Sequence, residues 1–137
     1  MSRGLILFAH GARDPAWGRP LHELARLVAA RDPALPVQVA FLEFQPPTLA
    51  DAIDALAPTC TSIDLLPVFW AAAGHVSHDL PVQLAAARVR HPSLAVRVLP
   101  PLSELPGLLA FIAEAAIEAG RRSEVRATDA NPKTRSC

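Results

Sequence analysis

Leu5-Ile6-Leu7-Phe8-Ala9-His10-Gly11-Ala12-Arg13-Asp14-Pro15 is a five-residue apolar run that stops at a histidine and a polar turn. A continuous apolar run of this length, bounded by Gly, Asp and Pro, reads as a strand buried on both faces. His10 then stands where that strand ends, in a loop whose Gly11 leaves little to block access to the imidazole. The chain repeats the device: Ile63 to Phe69 is a second apolar run, and Gly74-His75 lies in the loop beyond it. Two histidines, each just past its own strand, can face each other across one cleft. That arrangement suits a divalent transition metal or proton transfer better than packing.

Working outward, apolar runs alternate with helical patterns four times. Gly4 to Ala9 is the first strand. Leu21, Leu24, Ala25 and Val28 fall at helical spacing and predict a helix over residues 18–31, stopped by Asp32-Pro33. Val37 to Leu42 predicts a second strand ending at Glu43. Pro46-Pro47-Thr48 introduces a helix with Leu49, Ile53 and Leu56 on one face, and Ile63 to Phe69 is the third strand. After a long loop, Asp79 is the expected N-cap of a helix carrying Pro81 in its first turn and running to Arg90. Leu94 to Leu99 is the fourth strand, and Leu105, Leu108, Leu109 and Ile112 mark the last helix. The pattern predicts one α/β domain over residues 1–119, a four-stranded parallel sheet with helices on both faces. Residues 120–137 are polar and are expected to be disordered. With strand order 2-1-3-4, the crossovers leaving strands 1 and 3 go to opposite faces, and the crevice between them is where ligands bind in such folds. His10 and His75 belong to those two loops. Pro67 resists a central strand and predicts a bulge or the end of regular pairing there.

The bulk numbers narrow the function. The chain has 137 residues, with 13 basic and 13 acidic side chains, so no global field recruits nucleic acid or an anionic membrane. Its apolar stretches are far too short to span a bilayer, and the N-terminus lacks the pattern of a signal peptide. Cys60 and Cys137 form no pair or framework, so a cytoplasmic setting is expected. The motifs of nucleotide-binding folds, serine hydrolases and zinc ribbons are absent.

Other residues are weighed by position. Glu43 ends its strand among aromatics, either as a third metal ligand or base, or as a carboxylate emerging into solvent. Arg13 either pairs with Asp14 in the turn or meets a ligand carboxylate. Trp70, like Trp17, follows a strand end, where a flat ligand can stack. His78, beside Asp79, fits either the site or a helix N-terminus. His22 and His91 carry no role, the latter fitting a helix C-terminus.

Three blocks taken together, Leu7 to Pro15, Val39-Ala40-Phe41-Leu42-Glu43 and Ala73-Gly74-His75-Val76-Ser77-His78-Asp79-Leu80-Pro81, resemble the small CbiX-type sirohydrochlorin chelatases across residues 4–118. Two departures are visible: Ala12 replaces a usual serine, and His78 stands where another basic or polar residue is common. The resemblance implies a lyase that inserts a divalent metal into sirohydrochlorin on the way to cobalamin, sirohaem or a nickel tetrapyrrole. It implies that His10 and His75 are the metal-site histidines, with Glu43 matching the glutamate of the second block. Co²⁺, Fe²⁺ or Ni²⁺ is then a substrate, with no resident cofactor. Neutral imidazoles hold such ions loosely enough to deliver them, and they accept the protons that the macrocycle loses, as Glu43 can. The macrocycle's carboxylates are expected to meet Arg13 and the backbone of Gly11, Gly74 and Val76, with His78 and Trp70 as further contacts. One lobe of this size cannot enclose such a disc, which favours a homodimer. A non-catalytic metal or tetrapyrrole carrier on the same fold is the rival reading. A histidine phosphatase is disfavoured, because Ala9 stands where such enzymes carry an arginine.

Overall fold

The computed structural model describes residues 2–71 and 75–130, excluding the side chains of His75, Val76 and residues 128–130. Four strands, β1 (Arg3–Ala9), β2 (Val37–Phe41), β3 (Ser62–Pro67) and β4 (Ala95–Val98), form one all-parallel sheet in the order β2-β1-β3-β4. The helices are α1 (Arg19–Arg31), α2 (Leu49–Leu56), α3 (His75–Arg90) and α4 (Leu108–Ala130), with short 3₁₀ turns at Pro15–Gly18 and Leu102–Glu104. The expected architecture and strand order are therefore present.

Side-chain alternation along β1 divides the core in two. Ile6 and Phe8 face one side, where they meet Ala40, Ile63 and Leu65 together with Leu49, Ile53 and Leu56 of α2 and Leu80 and Leu84 of α3. Leu7 faces the other side, against Val39, Phe41 and Leu21 of α1. A strand covered on both faces has no polar positions to spare, which explains the unbroken apolar run. Truncating a buried side chain such as Ile53 costs about 2–5 kcal/mol.

Local signals set the boundaries. Thr48 and Asp51 form a reciprocal capping box at α2: the Asp51 amide donates to Thr48 Oγ1, and the Thr48 amide donates to Asp51 Oδ2, each at 3.1 Å. Asp14 accepts from the Ala16 amide at 2.9 Å and so caps the 3₁₀ turn after β1. Pro67 is the last residue of β3, in register with Phe8, but it does not end the pairing, because the Val68 amide still donates to the Phe8 carbonyl at 2.7 Å. Asp64, facing away from Ile63 and Leu65, is buried and held by a bidentate contact to Arg97 at 2.9 and 3.1 Å, with Arg3 at 3.6 Å.

Two boundaries differ from expectation. α3 begins at His75, not after Asp79, so His75 opens a helix where a loop is expected from the sequence, and Pro81 lies inside the helix. The helix accommodates Pro81 by forgoing one backbone hydrogen bond. α4 runs to Ala130, past Gly120, where polar composition predicts the end of structure. Glu118 pairs there with Arg122 at 3.1 Å and with Arg121 at 3.9 Å, at spacings that support an exposed helix. Leu105 lies before this helix, whose first turn is closed by the Phe111 amide donating to the Gly107 carbonyl. The described residues up to 102 and those from 103 onward form separate compact units, and the sheet with α1 to α3 belongs to the first.

Candidate metal centre

The carboxyl ends of β1 and β2 bring His10 and Glu43 together. The strand register pairs Ala9 with Phe41. Beyond it the ladder continues for two more bonds: the Leu42 amide donates to the Ala9 carbonyl at 2.9 Å, and the Glu43 amide to the His10 carbonyl at 3.1 Å. The two loops thus leave the sheet side by side. Gly11 makes the approach feasible. Its φ of 93° lies in the left-handed region, and a Cβ there would fall 2.1 Å from the Glu43 carbonyl oxygen. A second tie joins the loops, because the Ala12 amide donates to Gln45 Oε1 at 2.9 Å. Nothing in the sequence marks Gln45 for this role, which depends on two segments 33 residues apart meeting in space.

His10 Nε2 lies 3.1 Å from Glu43 Oε1, with both side chains roughly two-fifths exposed. The other ring nitrogen, Nδ1, lies 3.0 Å from the Gly11 carbonyl oxygen. A carbonyl only accepts, so this contact is made by the tautomer that carries its proton on Nδ1. In that neutral tautomer the Nε2 lone pair is available to a cation lying between it and Glu43. The arrangement is that of a metal-ligating histidine whose second nitrogen is fixed by a backbone carbonyl. A divalent ion bound about 2.1 Å from both atoms would hold them about 3.0 Å apart at a right angle and about 3.4 Å apart at a tetrahedral one. The observed separation falls in that interval. Alternatively, the carboxylate and imidazole share a proton across it.

Among the described residues, no three His, Cys, Asp or Glu side chains converge. His75 opens α3 after β3, the strand beside β1, so the fold carries it to the same sheet edge as His10. Its side chain, that of Val76 and the whole of Gly74 lie outside the described residues. His78 is exposed in α3, and Trp70 is exposed after β3. Arg13 has its guanidinium 5.3 Å from the centre of the Phe44 ring, while Asp14 serves its own turn. His22 is exposed on α1 beside Phe41, and His91 pairs with Asp54 at 2.7 Å at the far end of α3. Neither belongs to the site. An apolar cavity of about 410 Å³ between α3 and the ends of β3 and β4, lined by Phe69, Leu80, Leu84 and Val98, contains neither His10 nor Glu43.

Comparison with known proteins places this geometry in context. The chain is 32% identical over 79 residues to the sirohydrochlorin cobaltochelatase of Methanosarcina acetivorans; the match covers 57% of this chain, which spans 61% of the relative's length. The fold resembles the putative cobalamin biosynthesis CbiX protein of Marinobacter aquaeolei, with a TM-score of 0.75 and 24% identity, covering 88% of this chain and 98% of that one. It also resembles the sirohydrochlorin chelatase SirB of Bacillus subtilis subspecies spizizenii in complex with cobalt, with a TM-score of 0.67 and 26% identity, covering 74% of this chain and 44% of that one. The CbiX family model matches residues 4–119, which takes in all of the sheet but Arg3, together with His10, Glu43 and His75, and the chain belongs to that family.

Proposed function

We propose that this protein is a sirohydrochlorin chelatase, a lyase inserting Co²⁺ or Fe²⁺, with Ni²⁺ as a further substrate, into the macrocycle. The observation that carries the reading is the His10–Glu43 pair, with Nδ1 anchored and Nε2 facing a carboxylate at a separation suited to one shared ion. The names of the cobaltochelatase relative and of the cobalt-bound SirB support the same chemistry.

In this reading His10 and Glu43, joined by His75, receive a partly hydrated ion. An incomplete protein ligand set lets the macrocycle nitrogens displace the remaining donors. As the ion leaves, Nε2 and the carboxylate become able to accept the two protons released from the pyrrole N–H groups. The ion is cargo, and no resident cofactor is required. Arg13, the backbone of Gly11, Gly74 and Val76, and the side chains of His78 and Trp70 are assigned to the tetrapyrrole. The lobe described is too small to enclose the disc, so a homodimer in the cytoplasm is part of the proposal.

The test mixes purified protein with sirohydrochlorin and Co²⁺ and follows the absorbance change on metalation. Catalysed insertion that falls at least about 100-fold in His10→Ala is expected. Tight binding of both partners with no acceleration would assign a carrier instead.

A further inference from the structure

We infer that Phe44 is the ledge on which the conjugated face of the macrocycle rests beside His10, with Arg13 poised over the same ring to take a peripheral carboxylate. The inference rests on the chelatase reading for the identity of the ligand.

Phe44 combines two properties that folding alone does not explain. Its φ of 72° is in the left-handed region, where Gly or Asn is tolerated and a bulky side chain is a strained exception. Yet the side chain is 52% exposed, so burying the ring does not repay that strain. The backbone is held from both sides. The Glu43 amide bonds the His10 carbonyl, the Gln45 side chain accepts from the Ala12 amide, and the Phe41 amide bonds the Pro47 carbonyl at 2.8 Å. Strain maintained by so many contacts, at an exposed aromatic, marks a residue kept for what it presents.

What it presents is a flat apolar surface adjoining the metal pair. The Phe44 and His10 ring centres are 6.1 Å apart at 54°, and the Arg13 guanidinium lies 5.3 Å from the Phe44 ring centre. The His10 imidazole and the Arg13 guanidinium thus both adjoin one aromatic ring. Their chemistry matches a ligand that is flat, conjugated and ringed by carboxylates. Aromatic surfaces pack against such a face at the same ring spacings, and a guanidinium over an aromatic ring still offers its N–H edge to a carboxylate. Contact with Phe44 would hold the macrocycle's face within reach of His10 and Glu43.

The experiment measures sirohydrochlorin binding without metal, by fluorescence titration, alongside Co²⁺ binding by calorimetry. Phe44→Ala is expected to weaken sirohydrochlorin binding about tenfold and to raise its KM by a similar factor. Co²⁺ affinity should stay unchanged, and Phe44→Trp should bind sirohydrochlorin within about threefold of wild type. Phe44→Gly, which suits the left-handed backbone, should fold normally and still lose the affinity, separating docking from folding. Wild-type affinity in both truncated variants would overturn the inference, as would an equal loss of Co²⁺ affinity. Weakened sirohydrochlorin binding in a protein that inserts no metal would support the ledge while refuting the chelatase reading. Failure of the wild-type protein to bind sirohydrochlorin would refute both.

Discussion

His10 Nε2 and Glu43 Oε1 face each other at 3.1 Å across two loops that leave adjacent parallel strands. Because Nδ1 is already committed to the Gly11 carbonyl, each side chain contributes a defined atom to the gap between them. Replacing Glu43 with Gln removes the negative charge while preserving size. Co²⁺ affinity, measured by calorimetry, is expected to fall about 10–100-fold in Glu43→Gln and further in a variant that also carries His10→Ala. Unchanged Co²⁺ binding in the double variant would remove this pair from the metal site.

Gly11 is the geometric condition for that pair. Alanine there would be strained by the positive φ and would drive its Cβ into the Glu43 backbone. Gly11→Ala should therefore cost about 1–3 kcal/mol of stability in urea unfolding, and separate His10 from Glu43. Metal insertion should fall more than the stability loss accounts for, because a small displacement of a ligand pair is costly. An active, fully stable Gly11→Ala protein would contradict the close packing of the two loops.

The far end of α3 is fastened to α2 by Asp54, which contacts His91 at 2.7 Å and Arg90 at 2.8 Å. The hydrogen bond from His91, followed by that from Arg90, lowers the Asp54 carboxyl below its usual range. A lowered folded-state value means that the unfolded chain binds more protons in this window. The contribution is fully present above the ordinary carboxylate range, near pH 4, and is lost as pH falls through the folded value. Thermal unfolding followed between pH 2 and 6 should show a shallower acid limb in Asp54→Asn than in wild type. Superimposable limbs would mean that the contact contributes nothing.

Asp64 is the buried charge of the sheet, with Arg97 and Arg3 on its neighbours β4 and β1. Both guanidinium groups are more than half exposed, which limits what either ion pair can supply. Arg97→Ala should destabilise the fold only modestly, since Arg3 still reaches the carboxylate. Combining it with Arg3→Ala should cost more than the sum of the single changes, because only then is the carboxylate left without either arginine. Strict additivity in urea unfolding would show that the two arginines act independently.

The α/β alternation, the sheet order and the burial of β1 were legible from Leu5 to Ala9, Val37 to Leu42 and Ile63 to Phe69. Strand periodicity, prolines and turn residues are local signals that survive in a linear chain. The placement of His10 and His75 after neighbouring strands followed from the same topology. That Glu43 meets His10 was not legible. It depends on the register of β1 against β2, which is set by residues such as Leu7, Val39 and Phe41 packing under α1. The left-handed Phe44, the bridging Gln45 and the start of α3 at His75 likewise arise from contacts between segments distant in sequence, to which local propensity is blind. Sequence by itself determined which elements exist and that the loops after β1 and β3 open at one sheet edge. Only tertiary structure decided which side chains meet there, because distances between loops are fixed by the packing of the strands beneath them.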